Sequence, residues 1–502
     1  MRKYLFVAFL IGFSGAAFSQ TTPFDKKFPN IDKYIDSFMK AWNIPGLAMG
    51  IVYKDKLIYA KGYGYRDLEA KLPVTATTIF PIASNTKLFT ATAATMLAVE
   101  GKLNLDKPAR TYLPSLNFSN DELNAKVTVR DMLSHRTGLP RYDAIWVAAP
   151  FSRKEVLEKI VYMKPQFGFR EGYIYNNMMF VASGAVEEAV TGKSWEDLIR
   201  EKLLQPLAMN ATGYTDEETR KSGNFAWAYY APDSSNKLLK KTFNAQCPAL
   251  GPAGIIKSNV EDMSHWMIAQ LNQGKYNGVQ VIPDAAIKET LIPQNIADKD
   301  GRWPELSNGL YGLGRIIQTY KGYKIATHTG SIDGYYSNLT FIPSEGIAVF
   351  MVHNSVPAGS VRSMMAFPVV DRLMGLSASP WSERYMDDYK KGLAAEKKAK
   401  DSILATAVKN TRPSHPLKEF VGQFSSPIYG EMGVEWTNDQ LYLVYRGNKF
   451  LLKHLHYDQF YTDESALDRP DFRVHFETNM KGEVGKMNVW LGDPVAEFVR
   501  IK

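Results

Sequence analysis

Cysteine is almost missing from this chain. Cys247 is the only one in 502 residues, so no intrachain disulfide can form and the fold must be held by its core alone. Long apolar runs are missing too. Past the N-terminus no stretch offers the roughly 20 consecutive apolar residues that a membrane-spanning helix needs. No internal repeat of fixed period occurs. Charge of one sign is nowhere gathered into a binding face: the net charge is +8, and the basic residues are scattered apart from "KKGLAAEKKAK" at 390–400. A nucleic-acid-binding chain concentrates its charge on one face or arm. That stretch reads instead as a solvated helix, and no nucleic-acid partner is expected.

What is present is an ordinary globular composition, 45% hydrophobic and 22% charged, long enough for two or more domains. Arg2 and Lys3 precede the apolar run "YLFVAFLIGFSGAAF", and Ala17 and Ser19 supply small residues two apart. That pattern predicts a secretory signal peptide over 1–19 and a periplasmic or secreted product. Gly12, Ser14 and Gly15 interrupt the run too early for a membrane anchor.

Residues 28–42 put Phe28, Ile31, Tyr34, Ile35 and Phe38 on one helical face. "GLAMGIVYKDKLIYAKGYGYRD" reads as two strands joined at Lys54–Lys56. From about 84 to 290 helical patterns dominate, and strand patterns return over 310–353. Early strands, central helices and late strands predict an α+β domain over 20–375 whose first and last segments share one antiparallel sheet. A polar connector with an exposed helix follows over 376–411. Short alternating runs such as "QLYLVYRG" and "FRVHFETN" then predict a small all-β barrel over 412–502.

Three stretches carry candidate chemistry. S-x-x-K occurs at Ser37/Lys40, Ser84/Lys87 and Ser234/Lys237. The first lies on a surface helix and the third in a turn-like loop, so both are taken as chance. Ser84 follows the extended "TIFPIA" and opens the helical "SNTKLFTATAATMLAVEG", whose small apolar residues suit burial on all sides. Lys87 then shares a face with Ser84, and burial lowers a lysine pKa. A neutral amine there can take the serine proton. The other reading is a helix cap with a lysine reaching for solvent. Tyr175 and Asn177 form a Y-x-N after a glycine turn; a phenol near a lysine can relay a proton. A second Y-x-N, Tyr336/Asn338, falls inside a strand and reads as sheet packing. His328-Thr329-Gly330 is read as the end of a strand just before a turn, with Gly330 letting a substrate backbone come close. The backbone N–H groups of Ser84 and Ser331 are candidates for an oxyanion hole.

In the order S-x-x-K, Y-x-N, H-T-G, these stretches resemble the class C β-lactamase branch of serine hydrolases, which includes D-alanyl-D-alanine carboxypeptidases, D-amino-acid peptidases and esterases. "LNLDKPARTYLPSL", "VTVRDMLSHRTGLPRYD", "LLQPLAMNATGYT" and "GPAGIIKSNVEDMSHW" look like the same family, over roughly residues 28–370. Residues 417–502 look like the lipocalin-like barrel often appended to such hydrolases. The resemblance implies a β-lactamase/transpeptidase-like fold and an acyl-enzyme on Ser84. Lys87 and Tyr175 would share the acid and base work, and Asn177, His328, Thr329, Gly330 and Ser331 would bind substrate. The substrate would be a small molecule or peptide, cell-wall material included, with no cofactor and no metal. One departure is His328, where the family usually has lysine; a histidine is charged only part of the time near neutral pH. That weakens the case for a substrate carboxylate and favours an ester or peptide. It also keeps open a catalytically silent penicillin-binding-like protein. His135-Arg136 reads as a helix end and turn with Gly138 as the stop. His454 and His456 read as sheet surface.

Overall fold

A computed structural model describes residues 31–146, 151–231, 237–241, 248–298, 301–356, 359–362, 364–405, 407–462, 472–491 and 495–501. The signal-peptide stretch, Ser234 and Cys247 lie outside the described residues. Among the described residues no helix is long and apolar enough to cross a membrane.

The strand Gly46–Tyr53 is apolar almost throughout and buried on both faces. It pairs antiparallel with the last strand of the domain, Ile347–His353, in the register Leu47↔His353 to Tyr53↔Ile347. On its other edge lies Lys56–Asp67. The sheet has nine strands. Beyond Ile347–His353 come Tyr335–Ile342, Tyr323–Ile332, Ile316–Tyr320, Leu306–Tyr311 and Asn295–Asp298. The beginning and end of the domain thus meet in mid-sheet, as the pattern of early and late strands predicts.

Each sheet face is sealed by helix. On one side pack the N-terminal helix Ile31–Ala41, the helix Phe367–Met374 and Trp381. On the other pack Val260–Leu271 and the helix Thr86–Val99. Thr86–Val99 is buried from Thr86 to Leu97, because "ATAATMLA" has no bulky polar side chain to keep in water. Phe89 stacks on Trp266 at 4.0 Å, a pair worth about 0.5–1.5 kcal/mol beyond its buried area. This fixes the helix Thr86–Val99 against the helix Val260–Leu271 and the sheet.

After the exposed helix Trp381–Ala405 comes a closed eight-stranded antiparallel barrel running from Gly422 to Arg500. Its strands alternate as predicted; Leu441, Leu443 and Tyr445 turn inward from one, Val474 and Phe476 from another. Phe424, Phe450, Phe460, Phe472 and Phe498 are also buried there. Large apolar side chains thus line the barrel interior.

Candidate active site

Ser84 sits in a one-turn 3-10 segment, Ala83–Asn85, just before the helix Thr86–Val99. It is not the helix cap: Asn85 holds that position, and neither makes a capping side-chain bond. Ala83 is held at φ 50°, a left-handed conformation that costs a non-glycine residue about 1–2 kcal/mol. The turn is braced from the sheet. Ser337 Oγ donates to Ile82 O at 2.7 Å and accepts from Asn85 Nδ2 at 2.8 Å. Gly330 is needed here because a Cβ on it would lie 2.2 Å from Ile82 O. The backbone that crowds this glycine is the chain's own turn.

The Lys87 side chain is wholly buried. Its Nζ lies 3.2 Å from Ser84 Oγ, 2.8 Å from Asn177 Oδ1 and 2.7 Å from Ala253 O. Burial drives its pKa well below the usual lysine range; the Asp143 carboxylate pulls the other way and Arg141 adds to the lowering. A neutral amine has two N–H bonds and one lone pair. The two carbonyl oxygens take the N–H bonds, and the lone pair is left facing the serine hydroxyl.

Tyr175 brings its ring within 4.9 Å of Lys87 Nζ and within 6.2 Å of the His328 ring. Burial raises the phenol pKa above its ordinary value, against the pull of the nearby Ser84 hydroxyl and of Arg141. It is therefore a proton-bearing group at neutral pH. His135 packs beneath it at 4.4 Å and accepts the Asn176 backbone N–H on Nδ1 at 3.1 Å. Asn176 caps the helix Asn177–Thr191 and ties it to Leu139 O and Pro140 O. The "SHRTG" stretch thus orients the Y-x-N residues. Its helix, Val129–Leu133, stops at Ser134 rather than at Gly138.

His328 is buried within the strand Tyr323–Ile332, which runs on past it instead of ending there. Its Nε2 meets Tyr311 OH at 3.1 Å and its Nδ1 meets Thr329 O at 2.7 Å. Burial pushes its pKa down to about 3, helped by Lys87 and opposed by the Thr329 carbonyl. The expectation of a partly charged imidazole is corrected: it is neutral across the physiological range. Alternation along the strand puts Gly330 on the same face and sends Thr329 to the other. There Thr329 lines a cavity of about 230 Å³ with Gln318 and Trp303. Ser331 is exposed.

Asp143 and Arg141 were not singled out from sequence. Asp143 Oδ1 accepts from Asn177 Nδ2 at 2.9 Å and from Trp146 Nε1 at 2.9 Å, and its Oδ2 pairs with Arg141 Nε at 2.6 Å. The Arg141 guanidinium lies 5.0 Å from the Tyr175 ring centroid. Nothing local marks them; both lie inside a stretch read only for family likeness, and Asp143 sits 34 residues from Asn177. His454 and His456 of the barrel are taken by backbone: His454 Nε2 by Tyr457 O at 2.8 Å and His456 Nδ1 by Val408 N at 3.2 Å. Among the described residues no group of three His, Cys, Asp or Glu is arranged to hold a metal ion.

The buried histidines carry a pH signature. Burial lowers His353 to about 3 as well, with Arg362 contributing. A folded pKa below the unfolded value of about 6.5 means that stability is kept above that value and lost as pH falls toward the folded one. At pH 4.5 each of His328 and His353 is expected to cost about 2–3 kcal/mol. Urea unfolding at pH 7 and pH 4.5 checks this; equal stability at the two would contradict neutral burial.

Comparison with known proteins places this geometry. The Beta-lactamase family model matches residues 31–368, and a domain of unknown function, DUF3471, matches 406–498. Unguisins hydrolase ungD' of Aspergillus campestris is 26% identical over 435 residues, covering 83% of this chain and 79% of that protein. The octameric penicillin-binding protein homologue from Pyrococcus abyssi aligns with a TM-score of 0.62 at 23% identity, over 95% of this chain and 100% of that one. The D-amino acid amidase from Ochrobactrum anthropi SV3 aligns with a TM-score of 0.57 at 22% identity, over 68% of this chain and 98% of that one. With the family match spanning every strand of the nine-stranded sheet, the chain belongs to the beta-lactamase family.

Proposed function

We propose that the chain is an exported serine hydrolase, of the class C-like branch, that works through a Ser84 acyl-enzyme. The observation that carries it is the Lys87 amine, buried and 3.2 Å from Ser84 Oγ with both its N–H bonds engaged elsewhere. Lys87 takes the Ser84 proton as the oxygen attacks a carbonyl. Tyr175, neutral and beside the Lys87 amine, hands a proton to the leaving group. Asn177 holds the amine and the acyl side in register. The Ser84 and Ser331 N–H groups are assigned the developing oxyanion. Water then releases the acyl group.

Pairing of Tyr323–Ile332 with Ile316–Tyr320 stops at Thr327↔Ile316. Past that pair no described strand continues the ladder, which leaves an edge beside the nucleophile for an extended substrate. The third motif supplies no cation, since His328 is neutral and both its ring nitrogens are engaged. This favours an ester or peptide amide over a substrate that needs its carboxylate clamped there. Relatives described as hydrolases favour turnover over silent binding. Residues 1–19 are kept as the signal peptide, 20–375 as the hydrolase domain, 376–411 as the connector and 412–502 as the barrel domain.

The test is a fluorophosphonate or penicillin probe followed by intact mass and peptide mapping. One adduct, on Ser84, is expected, together with turnover of at least one of a p-nitrophenyl ester, nitrocefin or a D-amino-acid peptide. An adduct elsewhere would reject the nucleophile. Labelling of Ser84 without turnover of any substrate would favour the silent binding protein.

A further inference from the structure

The barrel reaches the wall of this site through Arg446. Arg446 lies in the tight turn between the strands Gln440–Tyr445 and Asn448–His456. Its Nη1 donates to Ala144 O at 2.7 Å and its Nη2 to Ile145 O at 3.2 Å. Both carbonyls belong to the single 3-10 turn Asp143–Ile145. The first residue of that turn is the one whose carboxylate holds Asn177 Nδ2 at 2.9 Å, and Asn177 Oδ1 in turn accepts from Lys87 Nζ at 2.8 Å. Four side chains therefore connect the barrel to the amine beside Ser84.

Local preference does not explain this arrangement. Arg446 has φ 50° and Gly447 φ 75°, the left-handed pair of a two-residue hairpin turn that normally takes Asn-Gly. An arginine in the first position goes against the backbone by about 1–2 kcal/mol. The turn that it holds is likewise entered through a left-handed non-glycine, Tyr142 at φ 50°. Such strain persists where the surroundings fix it, and it clusters at functional sites. The guanidinium is itself seated: 4.5 Å from the Tyr445 ring centroid and 5.5 Å from that of Phe151. Tyr429, whose carbonyl accepts the Tyr445 hydroxyl at 3.3 Å, lies against Tyr142 at 6.2 Å. With large apolar side chains filling its interior, the barrel acts on the site through this rim.

We propose that Arg446 is a positioning residue for hydrolysis: it clamps the turn Asp143–Ile145 so that Asp143 keeps Asn177 against Lys87. The inference rests on the Ser84 acyl-enzyme reading. A planar fork suits two adjacent carbonyls, whereas a lysine engages one as a point charge.

The experiment follows the rate of fluorophosphonate labelling of Ser84 in the full chain between pH 5 and 10. Arg446→Ala is expected to label about 10- to 100-fold more slowly, the loss typical of a small misplacement in a reacting constellation. Arg446→Lys should recover part of it. The acid limb should move to lower pH in Arg446→Ala. Around Lys87 stand Asp143, Arg141, Tyr175, His135 and His328; of these Asp143 is the group that raises its proton affinity, more than the adjoining Arg141 lowers it. Asp143→Ala should move the limb the same way, and Arg446→Ala added to Asp143→Ala should slow labelling little further, since coupled residues are not additive. A merely structural Arg446 would lower the melting temperature without moving the limb. Should Arg446→Ala not fold, Arg446→Gln carries the same comparison. Labelling of Arg446→Ala at the wild-type rate at every pH, or losses that multiply independently with Asp143→Ala, would overturn the clamp alone. Labelling that never falls on Ser84 would instead overturn the acyl-enzyme reading.

Discussion

Ser84→Ala is expected to lower kcat/KM by about 10⁵–10⁶-fold, the scale of losing a nucleophile that works as one unit with its base. The protein should remain folded. Ser84 is only half-buried, and Lys87 keeps two of its three partners, Asn177 Oδ1 and Ala253 O. Losing one net hydrogen bond costs about 0.5–1.5 kcal/mol. The strained Ala83 turn keeps its brace, because Ser337 and Asn85 do not involve the Ser84 hydroxyl. Kinetics on whichever substrate is turned over, with a thermal melt beside them, make the check. Residual activity within 100-fold of wild type would mean that water, not Ser84, attacks the carbonyl. A collapse of the melt would mean that the hydroxyl was serving the fold.

The contact between Ser84 and Lys87 was legible because they are three residues apart at a helix start, and a period of 3.6 makes them neighbours without any tertiary knowledge. The buried face was legible too, in the run of alanines and threonines from Thr90 to Thr95. The antiparallel sheet shared by first and last segments followed from the order of strand and helix patterns, and the barrel from alternation. What was not legible lies across the chain. Asp143 meets Asn177 over 34 residues and Arg446 meets Ala144 over 302, and neither spacing has a periodicity that could announce it. The crowding at Gly330 was not legible for the same reason: it comes from Ile82, 248 positions earlier, which only the fold brings near. The charge of His328 was misjudged because composition gives a histidine its solution pKa, and only burial moves it to about 3. The turn residue Arg446 did leave a trace, since "YRGN" puts arginine where a hairpin prefers asparagine.

Lys87 poses the sharper question, because it is asked to be uncharged in a folded protein near pH 7. Lys87→Met should lower kcat/KM by about 10³–10⁴-fold, the upper range for a general base. Lys87→Arg should not rescue it, because a guanidinium does not give up its proton. The same substitution tests protonation without any substrate. Burial lowers the folded pKa well below 10.5, so between that lowered value and 10.5 the unfolded chain binds a proton that the native chain has released. Stability of the wild type must therefore rise with pH through that window, and the burden is fully present below it. Methionine has no such proton. Unfolding free energies at pH 7.5, 9 and 10.5 should accordingly show the wild type gaining on Lys87→Met as pH increases. Two leftover carbonyls, Asn177 Oδ1 and Ala253 O, offset the mutant's relief by about 1–3 kcal/mol each, but equally at every pH. The slope is thus free of them. Parallel curves would mean that the native amine holds its proton like any surface lysine, and a protonated amine cannot take one from Ser84.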